Sequence, residues 1–226
     1  MKKTYAVAID GPSGAGKSTI ARAAAGKFGF MYVDTGAIYR CVGLAALRAG
    51  VDKTDPQAVQ QLLQSLQIEL HHDGAGVQQM ILNGENVSGQ IRTPEVSLAA
   101  SDFSALPAVR AFLLDMQRAF ARRYSVIMDG RDIGTVVLPD ADLKIFLTAS
   151  SAERARRRFD ELTAKGMNVD YETVLREQLA RDAQDSGRAV APLKAAQDAV
   201  IVDTTGKTLD ESIALVLSVM EERLCL

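Results

Sequence analysis

Histidine is almost missing from this chain. His71 and His72 are the only two, side by side in a polar stretch. Serine- or cysteine-hydrolase chemistry needs a base beside its nucleophile, and none is at hand; a zinc or acid–base role for the pair has little to stand on. Cysteine is as scarce. Cys41 and Cys225 lie far apart without metal-type spacing, so reduced cytosolic thiols are expected. No apolar run approaches a membrane span, and the one in "MKKTYAVAID" is too short for a signal peptide. Charge of one sign is lacking too: 26 basic against 28 acidic residues leave a net charge of −2, so no overall field draws nucleic acid or a membrane surface. There is no internal repeat and no low-complexity tract. These absences point to a cytoplasmic globular protein, and the lack of an exposed apolar run favours a monomer. At 226 residues with 47% hydrophobic content, one large α/β domain with a small insertion is expected.

What is present begins at residue 7, "VAIDGPSGAGKSTIARAAAGKFGF". Apolar, strand-like positions run straight into three glycines, a lysine and two hydroxyls, and then into an alanine-rich helix that should end at Gly29. The loop Gly11, Pro12, Ser13, Gly14, Ala15, Gly16, Lys17, Ser18, Thr19 fits the phosphate-binding pattern G-x-x-x-x-G-K-S. Glycine lets the backbone approach an anion closely and present its N–H groups, and the helix N-terminus adds unpaired donors. Lys17 is placed to reach β- and γ-phosphates, and the Ser18 hydroxyl to ligate Mg²⁺. The chain therefore reads as binding a nucleotide.

Strand-like runs recur at 4–10, 31–34, 125–129, 143–148 and 199–204, separated by helical patterns, which predicts a parallel sheet with helices on both faces. Ligands bind past the carboxyl ends of such strands, and here those ends carry "DGPSGAGKST", "DTGAIYR", "DGRDIGT" and "TASSAERARRR". One region breaks the alternation. Residues 68–88 read as short antiparallel strands joined by "DGAG" and "NGEN" turns, inserted before helices at about 94–123. Thr54 or Asp55, and Thr208, are expected N-caps.

Other constellations carry charge at these ends. Asp34 and Thr35 should start a helix that contains Arg40, either as an ordinary cap with a surface arginine or as a ligand site. Asp129 closes an apolar strand, as a carboxylate that holds Mg²⁺ directly or through water does; Arg131 and Asp132 follow in a glycine-flanked loop. Arg154, Arg157 and Arg158 share a helix face, which reads either as solvated and neutralised by Glu153, Asp160 and Glu161, or as phosphate partners. Arg181, Asp185 and Arg188 fall in one line if their helix persists as far as Pro192. No Asn-Lys-x-Asp string is present to read guanine, and the chain is short for a motor. A phosphoryl transferase with arginines around the transfer point remains.

The runs "AIDGPSGAGKST", "VDTGAIYR", "GENVSGQIRTPEVSLAAS", "MDGRDIGTVVLPDADLKIFLTASSAERARRR" and "RDAQDSGRAVAPLKAAQDAVIVDTT" resemble the bacterial cytidylate kinases over nearly the whole chain. That resemblance implies a nucleoside monophosphate kinase fold: a five-stranded parallel sheet forming a core of 1–34, 103–150 and 189–226, an acceptor-binding region 35–102 with the hairpin insertion, and a lid 151–188. It implies phosphorylation of CMP and dCMP by ATP with Mg²⁺. By the same resemblance Thr35, Gly36, Arg40, Ser101, Arg110, Arg131, Asp132, Arg181, Asp185 and Arg188 bind the acceptor. Arg40, Arg131 and Arg188 face its phosphate; Ser101, Arg110 and Asp132 read cytosine; Arg181 and Asp185 meet the sugar. Lys17, Arg131, Arg181 and Arg188 would be catalytic, Arg157 and Arg158 would join the ATP site, and Ser18 and Asp129 would serve Mg²⁺. Position 35 is often serine in the family and is threonine here.

Overall fold

A computed structural model describes residues 4–74 and 76–225. Its chain separates into two compact units, one formed by residues up to Tyr32 together with those from Arg123 onward, the other by Val33–Arg122.

The first unit is built on a parallel sheet. Strand β1 (Ala6–Asp10) leads into helix α1 (Lys17–Phe28), which ends, as its glycine suggests, at a left-handed Gly29; β2 (Met31–Asp34) begins at once. After the second unit come β6 (Val126–Gly130), β7 (Leu143–Thr148), helices α6 (Ser151–Ala164) and α7 (Tyr171–Ser186), β8 (Val200–Asp203) and α8 (Leu209–Leu224). The order across the sheet is β2-β6-β1-β7-β8, with β1 central. β1 and β6 run in register from Ala6 opposite Val126 to Asp10 opposite Gly130, so both strands deliver a carboxylate to the same end of the sheet. Their sequences are continuously apolar because helices cover the sheet: Val7, Ile9, Ile127, Ile145 and Leu147 pack against Ile20 and Ala24 of α1 and Val216 and Met220 of α8. Helix α8 starts with a capping box in which Thr208 and Glu211 satisfy each other's amides, an arrangement worth about 1 kcal/mol.

α6 and α7 pair through Ala155, Leu162, Phe159, Tyr171 and Val174. Phe159 and Tyr171 meet edge to face, and the Arg156 guanidinium lies over both rings. α7 ends earlier than its sequence pattern suggests. The expected line through Arg188 to Pro192 stops at Ser186, where Gly187 caps the helix through its N–H to the Ala183 carbonyl. A β-carbon at 187 would come within 2.9 Å of that carbonyl oxygen. The Asp185 carbonyl accepts from Leu193 N rather than from a further helical turn. Arg188 thus lies beyond the helix.

The second unit holds α2 (Thr35–Ala49), α3 (Pro56–Ser65), the antiparallel sheet β3 (Ile68–His72), β4 (Gln78–Leu82) and β5 (Glu85–Asn86), then α4 (Pro94–Ser104) and α5 (Pro107–Arg123). Asp55, not Thr54, caps α3. At the "NGEN" turn Asn83 and Gly84 both take positive φ, the geometry that joins two strands with two residues. In the "DGAG" turn Gly76 N bonds the Asp73 carbonyl; Ala75 lies outside the described residues. Residues 103–122 go with the second unit, where Arg110 of α5 donates to the Ser104 carbonyl and lies 5.7 Å over the Tyr39 ring. The stretch 151–188, read as a lid, belongs to the first. Among the described residues no single helix is long and apolar enough to cross a membrane; α4 and α5 reach that length only as a pair bent by 99°.

Candidate active site

The loop between β1 and α1 is shaped by what cannot fit. At Gly11 a β-carbon would lie 1.9 Å from the Leu147 carbonyl oxygen, so the backbone passes flat against β7. Gly14 and Gly16 take left-handed φ of 76° and 85°. Gly16 precedes α1 and has no side chain with which to cap it, which leaves the first-turn amides for an anion. The Lys17 ammonium is buried and donates to the Pro12 carbonyl at 2.7 Å, closing the loop on itself.

Behind the loop stand two carboxylates. Asp129 accepts from Ser18 Oγ at 2.7 Å and from the Tyr32 hydroxyl at 2.9 Å. Asp10 accepts from the amides of Ile133 and Gly134 at 2.8 and 2.7 Å, fixing a single π-helical turn over Ile133–Val137 just after Arg131 and Asp132. Burial pushes the Asp10 carboxyl up to about 6, against the pull of those two amides. Burial, and after it the Arg131 charge, drives Lys17 well below the ordinary lysine pKa, with Asp129 and Asp10 opposing.

A second cluster centres on Asp185, which is 1% exposed. Arg131 Nε donates to one of its oxygens at 2.8 Å and Arg188 Nη2 to the other at 2.5 Å. Burial alone would raise the Asp185 pKa; the Arg131 and Arg188 charges outweigh it and hold the carboxyl below its ordinary value. Two guanidiniums on one carboxylate leave a net positive centre. Arg188 Nε is buried with no hydrogen-bond partner, a donor suited to an incoming anion.

In the second unit Asp34 caps α2 by accepting from Ala37 N, and it lies 3.8 Å from Arg40. Gln78 of β4 grips the same residue, accepting from Asp34 N at 2.8 Å and donating to its carbonyl at 3.3 Å. Thr35 is buried beside Gly36, where a β-carbon would lie 3.1 Å from the Asp34 carboxylate and within 3.8 Å of the Arg40 guanidinium. Arg40 Nη1 is also buried without a hydrogen-bond partner. Ser101 and Arg110 are buried and linked through Ser104, whose hydroxyl donates to the Ser101 carbonyl and whose carbonyl accepts from Arg110.

The three arginines read as one face of α6 go to three different places. Arg154 is buried against the phosphate loop, donating to the Ser13 carbonyl at 3.0 Å. Arg157 reaches the Thr204 carbonyl after β8 and pairs with Glu153, and Arg158 pairs with Glu161 on the helix surface. Neither of these two is hydrogen-bonded to the loop. Sequence reasoning missed Asp10, Tyr32 and Gln178. Asp10 carried the same signal as Asp129, a carboxylate closing an apolar strand; Tyr32 and Gln178 carried none, because their partners are distant in sequence.

A sequence model described as cytidylate kinase matches residues 7–222. The chain is 48% identical over 223 residues to the cytidylate kinase of Syntrophotalea carbinolica, covering 99% of this chain and 94% of that one. It is 51% identical over 218 residues to that of Mycobacterium leprae, covering 96% of each. It is 47% identical over 225 residues to that of Pasteurella multocida, covering 99% and 98%. Among solved structures, an uncharacterised protein from Eubacterium ventriosum shares the fold with a TM-score of 0.53 at 12% identity, over 97% of this chain and 99% of that one. Together with a phosphate loop, paired strand-end carboxylates and a buried arginine cluster, these likenesses show that the chain belongs to the cytidylate kinase family.

Proposed function

We propose that the chain transfers the γ-phosphoryl group of ATP to the 5′-phosphate of CMP or dCMP, giving ADP and CDP or dCDP. The observation that carries this reading is electrostatic. Lys17 of the phosphate loop lies within the field of Arg131 and Arg181, with Asp10 and Asp129 as partial counter-charges. Two phosphate groups brought to this cluster would supply the negative charge it lacks, and would favour the charged form of Lys17 that burial and Arg131 disfavour.

The acceptor explains the missing base. A phosphate monoester is already an anionic nucleophile at neutral pH, so no residue has to remove a proton. The chain's task is positioning and charge neutralisation. Loop amides and Lys17 hold the β- and γ-phosphates; Arg40, Arg131 and Arg188 hold the acceptor phosphate in line. Ser101, Arg110 and Asp132 select cytosine, and Arg181 and Asp185 the sugar. Arg157 and Arg158, on a lid of residues 151–188, close over ATP. The Ser18 hydroxyl and the Asp129 carboxylate offer adjoining oxygens that suit Mg²⁺, which characteristically takes one or two protein oxygens and completes its shell with phosphates and water. Bound there, the ion would neutralise charge on the β- and γ-phosphates. We propose further that the enzyme works as a cytoplasmic monomer; the two free cysteines, one of them buried, suit a reducing compartment.

The test is an acceptor panel at fixed ATP and Mg²⁺. CMP and dCMP should give the highest kcat/KM, ahead of UMP and AMP. A preference for AMP or UMP would overturn the assignment.

A further inference from the structure

Arg154 is not free to act as a mobile clamp on phosphate, because all five N–H groups of its guanidinium are engaged. Nε donates to the Ala149 carbonyl, Nη1 to the Ser13 carbonyl and Asp182 Oδ1, and Nη2 to Asp182 Oδ2 and Ser151 Oγ, at 2.7 to 3.1 Å. The side chain is buried, and at Gly14 a β-carbon would lie 3.2 Å from Arg154 Cβ. A second donor meets the same loop carbonyl: Gln178 Nε2 of α7 lies 2.7 Å from Ser13 O. Two helices thus grip one oxygen of the phosphate loop.

The peptide plane makes this grip consequential. In a trans peptide the C=O and the following N–H point in opposite directions, and no cis bond occurs among the described residues. With the Ser13 carbonyl held toward α6 and α7, the Gly14 N–H is turned to the opposite side and cannot flip without giving up both donors. We propose that Arg154, Gln178 and Asp182 are positioning residues for the donor site, acting through Ser13 to hold the Gly14 amide in its anion-binding orientation. Asp182 serves by fixing the Arg154 guanidinium. The proposal rests on the reading of the loop as the triphosphate site. Because α7 also carries Asp185, one helix supports both the loop and the arginine cluster.

Calorimetric titration of the full chain with a non-hydrolysable ATP analogue and Mg²⁺, and separately with CMP, tests this. Gln178→Leu removes one donor and leaves the Arg154–Asp182 pair intact. Its analogue Kd should rise about tenfold, as for loss of one buried hydrogen bond, with the CMP Kd within about twofold of wild type. Arg154→Met should raise the analogue Kd further, and the double variant should fall short of the product of the two, since both act on one carbonyl. Gln178→Glu, which sets a carboxylate against the carbonyl, should be worse than Gln178→Leu at nearly the same size. If Gln178→Leu loses its folded circular dichroism, Gln178→Met takes its place. An unchanged analogue Kd in a folded variant, or equal weakening of analogue and CMP, overturns the proposal. A wild-type chain that binds no analogue overturns both the loop reading and this proposal. One that binds it without phosphorylating CMP overturns only the acceptor reading, and the Gln178 comparison decides as before.

Discussion

The two phosphate sites assigned to this enzyme are made of different materials. The donor loop is backbone: amides at a glycine-shaped turn, closed by Lys17 on the Pro12 carbonyl and held from behind by Arg154 and Gln178. The groups proposed for the acceptor are side chains: Arg131 and Arg188 on the buried Asp185, and Arg40 beside Asp34. A backbone cradle is fixed once the fold forms and suits a phosphate chain common to many substrates. Guanidiniums on buried carboxylates keep donors in reserve, as at Arg188 Nε and Arg40 Nη1, which in the proposed function would grip the acceptor phosphate during transfer and release it afterwards.

The comparison breaks first at its most shared point. Lys17→Ala removes a contact that strengthens as charge shifts in transfer, and kcat should fall by roughly 10²-fold or more. A kcat within about twofold of wild type would remove the loop from the chemistry. Arg188→Ala should follow, with kcat down about 10²-fold, if its proposed contact with the acceptor phosphate forms in the transfer complex alone. A rise in the KM for CMP alone would show uniform binding instead.

Specificity sharpens the contrast further. In the proposed function Asp132 would accept from the cytosine amino group and repel the O4 of uracil. Asp132→Ala should therefore narrow the CMP-to-UMP ratio of kcat/KM by about tenfold or more, and equal losses on both would make Asp132 a support for its loop.

Stability should respond to pH through Asp185. Its folded-state pKa lies below the ordinary value of 3.8, so it contributes stability that is present above that value and lost as pH falls through the folded one. Chemical denaturation from neutral pH downward should show Asp185→Asn at its largest disadvantage near neutrality, with the gap closing below about pH 4. A constant gap would assign the loss to packing.

The smallest effect concerns the insertion. Gln78 ties β4 to Asp34, beside Thr35 and Gly36. Hydrogen exchange across residues 68–88 should slow more with CMP than with the ATP analogue, and the reverse ranking would move the insertion to the donor side.

The same contrast explains how much was legible in the sequence. The phosphate loop, the five sheet strands and the Asn83–Gly84 turn could be read because each depends on residues adjacent in the chain. Asp185 looked like a member of a helical line with Arg181 and Arg188, and its pairing with Arg131, more than fifty residues away, was not visible. The arginines of α6 looked equivalent, since periodicity gives a common face and cannot say that Arg154 would be buried against Ser13. Asp10 was legible by the strand-end argument and was overlooked beside its glycines.

Transfer from ATP to CMP is tested most directly by product stoichiometry. With ATP, Mg²⁺ and CMP, one CDP should form for each ADP released, with no ADP above background when CMP is withheld. ADP released without CDP, at a rate indifferent to CMP, would contradict it.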